Sequence, residues 1–111
     1  MDIDEQRFGA VTVLKPVGSL ALDEVAQFKS RLADAMVRAL GRVAVDASAI
    51  SYVDSKALEV LVEASDQLAQ SGRALRLCGV NELLREVLDL TELADRFELY
   101  EDASAAARSF L

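Results

Sequence analysis

The stretch from residue 42 to residue 71 constrains the fold more than any other part of the chain. A short apolar run ends at Asp46, a polar loop follows, and Asp54-Ser55 then precedes a strongly amphipathic helical pattern. Asp and Ser are favoured at helix N-termini because their oxygens accept hydrogen bonds from first-turn backbone N–H groups that lack partners. The stretch therefore predicts a buried strand, a loop and a capped helix.

The pair Asp54-Ser55 allows two interpretations. In the simpler one, both residues only cap the helix, which is the commonest reason for such a pair before an apolar pattern. In the other, the Ser55 hydroxyl lies at the surface beside the positive end of the helix dipole, where an added phosphate is favoured. The residues alone predict the cap and leave a regulatory phosphorylation site open.

Strand and helix patterns alternate along the rest of the chain. Strands are predicted at residues 11–14, 42–46, 74–78 and 97–100, with an edge strand or a loose start at 2–7. Pro16 and Gly18 are expected to end or bend the strand that begins at Val11. This alternation predicts a single α/β domain over residues 1–111, with a mixed β-sheet of about four to five strands flanked by helices.

The predicted helices cover residues 22–40, 55–71, 80–88 and 102–110. In the first, apolar residues recur at intervals of three and four from Leu22 to Leu40, and Gly41 is expected to end the helix. Both Leu22 and Leu40 are therefore expected on its core-facing side. The core-facing side of the second helix is predicted to comprise Leu58, Leu61, Val62, Ser65, Leu68 and Ala69.

The composition argues against several classes of function. A net charge of -7, from 19 acidic and 12 basic residues, disfavours binding to nucleic acid and to anionic membranes. Histidine, the commonest general base and metal ligand, is absent, and the single cysteine, Cys78, is expected in the core. No Gly-rich phosphate loop and no bilayer-length apolar run occurs. We therefore expect a cytoplasmic binding protein without metal, cofactor or membrane insertion, and not an enzyme.

The polar side of the second predicted helix is a candidate partner surface. Val60 falls within a charged strip that contains Lys56, Glu59 and Glu63. An apolar centre ringed by charges suits a modest protein-binding surface. A solvated helix face with one exposed valine is the simpler alternative.

Three segments of the chain resemble the STAS domain family of anti-sigma factor antagonists. The first is the strand and loop followed by the pattern Asp-Ser-x-x-Leu-x-x-Leu at residues 54–61. The others are residues 11–18, similar to the family's strand before a Gly-containing loop, and residues 74–93, similar to its next strand and helix. The resemblance covers roughly residues 8–108.

The resemblance implies a protein switched between partners by phosphorylation. An anti-sigma factor serine kinase that uses ATP would bind the unmodified form and phosphorylate Ser55, beside the acid Asp54, and a phosphatase would reset it. Phosphorylation would break the complex with the kinase. The isolated domain is expected to be a monomer or a weak dimer. Its docking surface would comprise Ser19, Ala21, Lys56, Glu59, Val60 and Glu63.

Three positions depart from the family's pattern. Lys56 and Ala57 follow the phosphoacceptor where Ser or Thr and then Gly are common, and Ala57 is expected to place a methyl where a kinase backbone approaches. Ala21 stands where an acid is usual. These departures motivate an alternative to the leading hypothesis of a partner switch, namely a constitutive subunit of a larger transporter-associated or stress-signalling assembly. A third reading, a nucleotide binder, has little support because no basic cluster or phosphate loop is present.

Overall fold

Strands and helices alternate throughout the computed structural model, which describes residues 1–111. The predicted α/β class is confirmed, but the sheet has six strands and not four to five. The elements are β1 (Asp2–Phe8), β2 (Val11–Leu20), α1 (Asp23–Arg38), β3 (Val43–Asp46), β4 (Ile50–Val53), α2 (Ser55–Ala69), β5 (Leu75–Cys78), α3 (Glu82–Leu90), a 3-10 turn (Ala94–Arg96), β6 (Phe97–Tyr100) and α4 (Ala103–Arg108).

The sheet is mixed and follows the order β1-β2-β3-β5-β6. Only β1 runs antiparallel to its neighbour, β2, and β3 is central, as its short apolar sequence predicted. β4 pairs in parallel with the last three residues of β2. Because the carboxyl ends of parallel strands meet at one edge of a sheet, the turn after β2 lies beside the start of α2, which follows β4.

β2 continues through Pro16 and Gly18, so the expectation that these residues end the strand is wrong. Pro16 lies between the segment that pairs with β3, residues 12–14, and the segment that pairs with β4, residues 18–20. Its missing N–H therefore interrupts neither of these ladders. The alternative, a bend, is seen as a shift of register between Gly18 and Ser19.

The predicted loop after Asp46 also contains a strand, β4. Its ends, Ile50 and Val53, are buried, whereas Ser51 and Tyr52 between them are exposed. This pattern lacks the alternation that identifies a half-buried strand, so residues 50–53 were not predicted as a strand.

Helices pack on both faces of the sheet, and the sheet separates the hydrophobic core into two clusters. α1, α2 and α3 cover the larger cluster, whereas α4 covers a smaller one through Ala106 and Ala107. Successive strand residues point to opposite faces, so Val43 and Val45 join the larger cluster and Ala44 the smaller. The large, fully buried side chains include Phe28, Leu14, Leu20, Leu32, Leu61, Leu75, Leu77, Leu84 and Leu88.

α1 is shorter than its apolar pattern predicted. It spans Asp23–Arg38, so Leu22 and Leu40 lie just outside it, with 83% and 71% of their surfaces exposed. The expectation that these two leucines face the core is therefore wrong. The helical spacing continues by coincidence into the flanking turns, where Leu40 and Gly41 have φ values of 54° and 83°.

Cys78 is buried, as predicted, and it is expected to be chemically inert in the folded protein. The pKa of its thiol is raised to about 12, mainly by burial and to a smaller extent by the negative charges of Asp46 and Asp102. At pH 8 a soluble disulfide reagent should label the native protein far more slowly than the protein unfolded in guanidinium. Stability linked to the neutral thiol should be fully present below pH 9.0 and lost as the pH rises toward 12. Rapid labelling of the native state would contradict the burial.

Candidate functional site

Asp54 is the N-cap of α2, and its carboxylate connects two segments of the chain. Its Oδ1 accepts a hydrogen bond from the Ala57 N–H at 2.9 Å, and its Oδ2 accepts one from the Leu22 N–H, also at 2.9 Å. Both hydrogen bonds lower the pKa of Asp54, and the bond from Leu22 has the larger effect. Lys56 lowers this pKa by a smaller amount. The carboxylate is therefore ionised at neutral pH and joins the β2–α1 turn to the first turn of α2.

Ser55 is the first residue of α2, and its side chain is exposed. The expectation that both residues of the pair act as caps is correct for Asp54 alone, since Ser55 already belongs to the helix. Its hydroxyl is available at the surface, next to the ionised carboxylate of Asp54. Ser55 thus combines solvent exposure with a position beside a carboxylate at the start of a helix.

The polar side of α2 differs from its prediction at the central position. Lys56, Glu59 and Glu63 are exposed, but Val60 is only 7% exposed, so its expected place at the surface is wrong. α1 lies against this side of α2, and Val60 lines the groove between them with Leu32, Ala33 and Met36. The core-facing side of α2 is therefore shifted around the helix from its predicted position, toward α1. It comprises Ala57, Val60, Leu61, Ala64, Ser65 and Leu68.

An open hollow of about 410 Å³ lies at the β2–α1 turn. Two predicted partner-binding residues, Ser19 and Ala21, line it together with Leu22. Ser19 is exposed on β2 opposite Tyr52 of β4, which is itself 54% exposed. Leu22 also links this hollow to the start of α2, because its backbone N–H donates a hydrogen bond to Asp54, the residue before Ser55.

The sequence profile of the STAS domain family matches residues 2–106. The chain belongs to the STAS domain family. No curated protein sequence matches it significantly.

Solved structures of other proteins share the fold of this STAS domain. TM1081 of Thermotoga maritima is 24% identical with a TM-score of 0.86, over 96% of this chain and 92% of that one. An anti-sigma factor antagonist domain protein of Planctomyces limnophilus is 24% identical with a TM-score of 0.81, over 98% and 97%. The anti-sigma factor antagonist SpoIIAA in its unphosphorylated form is 15% identical with a TM-score of 0.77, over 98% and 96%.

Within the STAS domain, the predicted site residues form two adjoining groups. Ser19 and Ala21 lie at the hollow, and Ser55, Lys56, Glu59 and Glu63 follow along the exposed side of α2. Ala57 is completely buried beneath the first turn, so its methyl does not lie where a partner's backbone would approach. Leu22 was not predicted as a site residue, because its spacing matched the core side of α1.

Two further observations bear on what the STAS domain binds. No three acidic, cysteine or histidine side chains come together in a way that would hold a metal ion. None of the helices combines the length and the hydrophobicity that crossing a lipid bilayer requires.

Proposed function

We propose that this STAS domain is an anti-sigma factor antagonist that binds a serine kinase and is switched by phosphorylation of Ser55. The observation that carries the proposal is the exposed Ser55 hydroxyl at the first position of α2, directly after the N-cap Asp54. The kinase would transfer the γ-phosphoryl group of ATP to the Ser55 oxygen, with release of ADP and of the hydroxyl proton. The domain itself would be a binding protein and not an enzyme.

Fold similarity and electrostatics support this proposal. SpoIIAA, which shares the fold, is known in unphosphorylated and phosphorylated forms. On this chain, the Asp54 carboxylate already accepts a hydrogen bond from the first-turn N–H of Ala57, so a phosphate on Ser55 would compete with it for the positive end of α2. A phosphate carries a charge of about -1.5 to -2, and a packed interface would have to desolvate it beside Asp54. Phosphorylation is therefore expected to eject the partner, and a phosphatase would restore binding.

The proposed docking surface surrounds Ser55. It includes Ser19 and Ala21 at the hollow and the exposed Lys56, Glu59 and Glu63 on α2. Lys56 places a positive charge at the position after the phosphoacceptor, where it would influence the choice of partner. Val60 is left out of the surface because it is buried against α1.

Affinity capture from native cell lysate with wild type, Ser55→Ala and Ser55→Glu as baits tests the switch. We expect wild type and Ser55→Ala to retain a serine kinase of the anti-sigma type, identified by mass spectrometry. Ser55→Glu should bind that purified kinase at least about tenfold more weakly, because it places a permanent charge in the interface.

Ser104→Glu is the matched control for this experiment. Ser104 is an exposed serine in the first turn of α4, a helix that also begins after a capping aspartate, Asp102, but on the opposite face of the sheet. Its substitution should leave kinase capture unchanged. A single partner set held equally by all Ser55 baits, with Ser55 unmodified, would reject the switch and favour a constitutive subunit of a larger assembly.

A further inference from the structure

The turn between β2 and α1 holds a leucine in a backbone conformation that favours glycine. Leu22 has φ 56° and ψ −124°, and the Glu24 N–H donates a hydrogen bond to the Ala21 carbonyl at 3.1 Å. These features are typical of the first central position of a type II′ turn, where a side chain is strained. The turn therefore needs support from elsewhere in the domain.

The phosphoacceptor's neighbour supplies that support. The Leu22 N–H donates to Asp54 Oδ2 at 2.9 Å, and the Asp54 N–H donates to the Leu20 carbonyl at 3.3 Å. The other carboxylate oxygen of Asp54 accepts from Ala57. One carboxylate thus fixes the strained turn relative to the start of α2, and hence relative to Ser55.

Burial of the Leu22 side chain in the core does not offset this backbone strain. It is 83% exposed and stands at the rim of the hollow that Ser19 and Ala21 also line. Leu40, the other exposed leucine with positive φ, has a local explanation, because it lies just beyond the end of α1 before Gly41, where left-handed residues are usual. Leu22 has no such explanation, and it is held by the residue next to Ser55.

We propose that Leu22 is a specificity-determining contact for the kinase that acts on Ser55, and that Asp54 is the positioning residue that presents it. The inference rests on the proposed function. A kinase that brings its ATP to the Ser55 hydroxyl must cover the surface around that residue, and the Leu22 turn is bonded directly to the preceding residue. A largely exposed leucine on a fixed turn then offers an apolar anchor whose burial adds to affinity.

Leu22→Gly separates binding from folding, with Leu40→Gly as the matched control. Both substitutions remove an exposed leucine at positive φ, so each melting temperature should be equal to wild type or up to about 5 °C above it. The affinity for the kinase captured by wild type should fall at least about tenfold for Leu22→Gly and stay unchanged for Leu40→Gly. Equal affinity of Leu22→Gly and wild type would overturn the inference while leaving the proposed function intact. Failure of wild type to bind any kinase would reject both.

Asp54→Asn tests the positioning role. Asparagine caps helices as well as aspartate does, but its amide group can accept only through one oxygen, so the cap on Ala57 can persist while the bond from Leu22 is lost. We expect faster hydrogen exchange of the Leu22 amide and several-fold weaker kinase binding. In the Leu22→Gly background, Asp54→Asn should cause little further loss of affinity. Fully additive losses would mean that Asp54 does not act through Leu22.

Discussion

Phe28→Ala is expected to lower the free energy of unfolding by about 3–5 kcal/mol, the largest effect of any substitution considered. Phe28 is completely buried at the centre of α1 and belongs to the cluster between the sheet and its three covering helices. Truncation removes the transfer free energy of the ring and leaves a cavity that rigid neighbours fill only in part. Urea unfolding followed by circular dichroism measures the change.

Phe8→Ala serves as the control for this prediction. Phe8 is 38% exposed at the end of the edge strand β1, so its loss should cost less than about 1 kcal/mol. A loss for Phe28→Ala as small as that for Phe8→Ala would mean that α1 is not seated on the sheet through this side chain.

Asp54→Ala is expected to lower the melting temperature by about 5–10 °C, because it removes the cap of α2 and the support of the strained turn together. Asp102→Ala provides the comparison. Asp102 caps α4 through a single bond, from the Ala105 N–H at 2.8 Å, so its loss should lower the melting temperature by about half as much. Differential scanning calorimetry of both variants measures the difference. Equal losses would show that the bond from Leu22 adds no stability.

The contribution of Asp54 should also depend on pH. The Leu22 and Ala57 N–H groups lower its pKa in the folded state, so the stabilisation is fully present above the ordinary pKa of 3.8. It is lost as the pH falls through the lower pKa of the folded state. The melting temperatures of wild type and Asp54→Ala should therefore differ at pH 7 and converge in acid. A difference that does not shrink as the pH falls below 3.8 would contradict this linkage.

Local signals identified the start of α2 but not the surface around it. Asp54 was predicted as a cap because capping depends on residues three apart in the chain. Val60 was misplaced because its burial depends on α1, which lies against α2 and is distant in sequence. Apolar spacing shows that a helix has a buried side, but the packing of its neighbours decides how far that side extends around the helix.

The β2–α1 turn is a second feature whose structure depends on a contact distant in sequence. Leu22 continues the three- and four-residue spacing of α1, although the helix begins one residue later, at Asp23. Its support comes from Asp54, 32 residues further along the chain. A contact between residues so far apart in the chain produces no periodic pattern in the sequence. Apolar spacing therefore predicts a core position for Leu22, the residue that we propose as a specificity determinant.

The edge strand β1 bears on how this protein behaves at high concentration. An unpaired strand edge is a template on which further copies can add, and charged side chains on it oppose that growth. β1 carries Asp2, Asp4, Glu5 and Arg7 along its seven residues, and all four are exposed. Stacking of copies through this edge would bring the acidic groups of neighbouring chains together. The charges on this edge strand are therefore expected to oppose fibrous self-assembly.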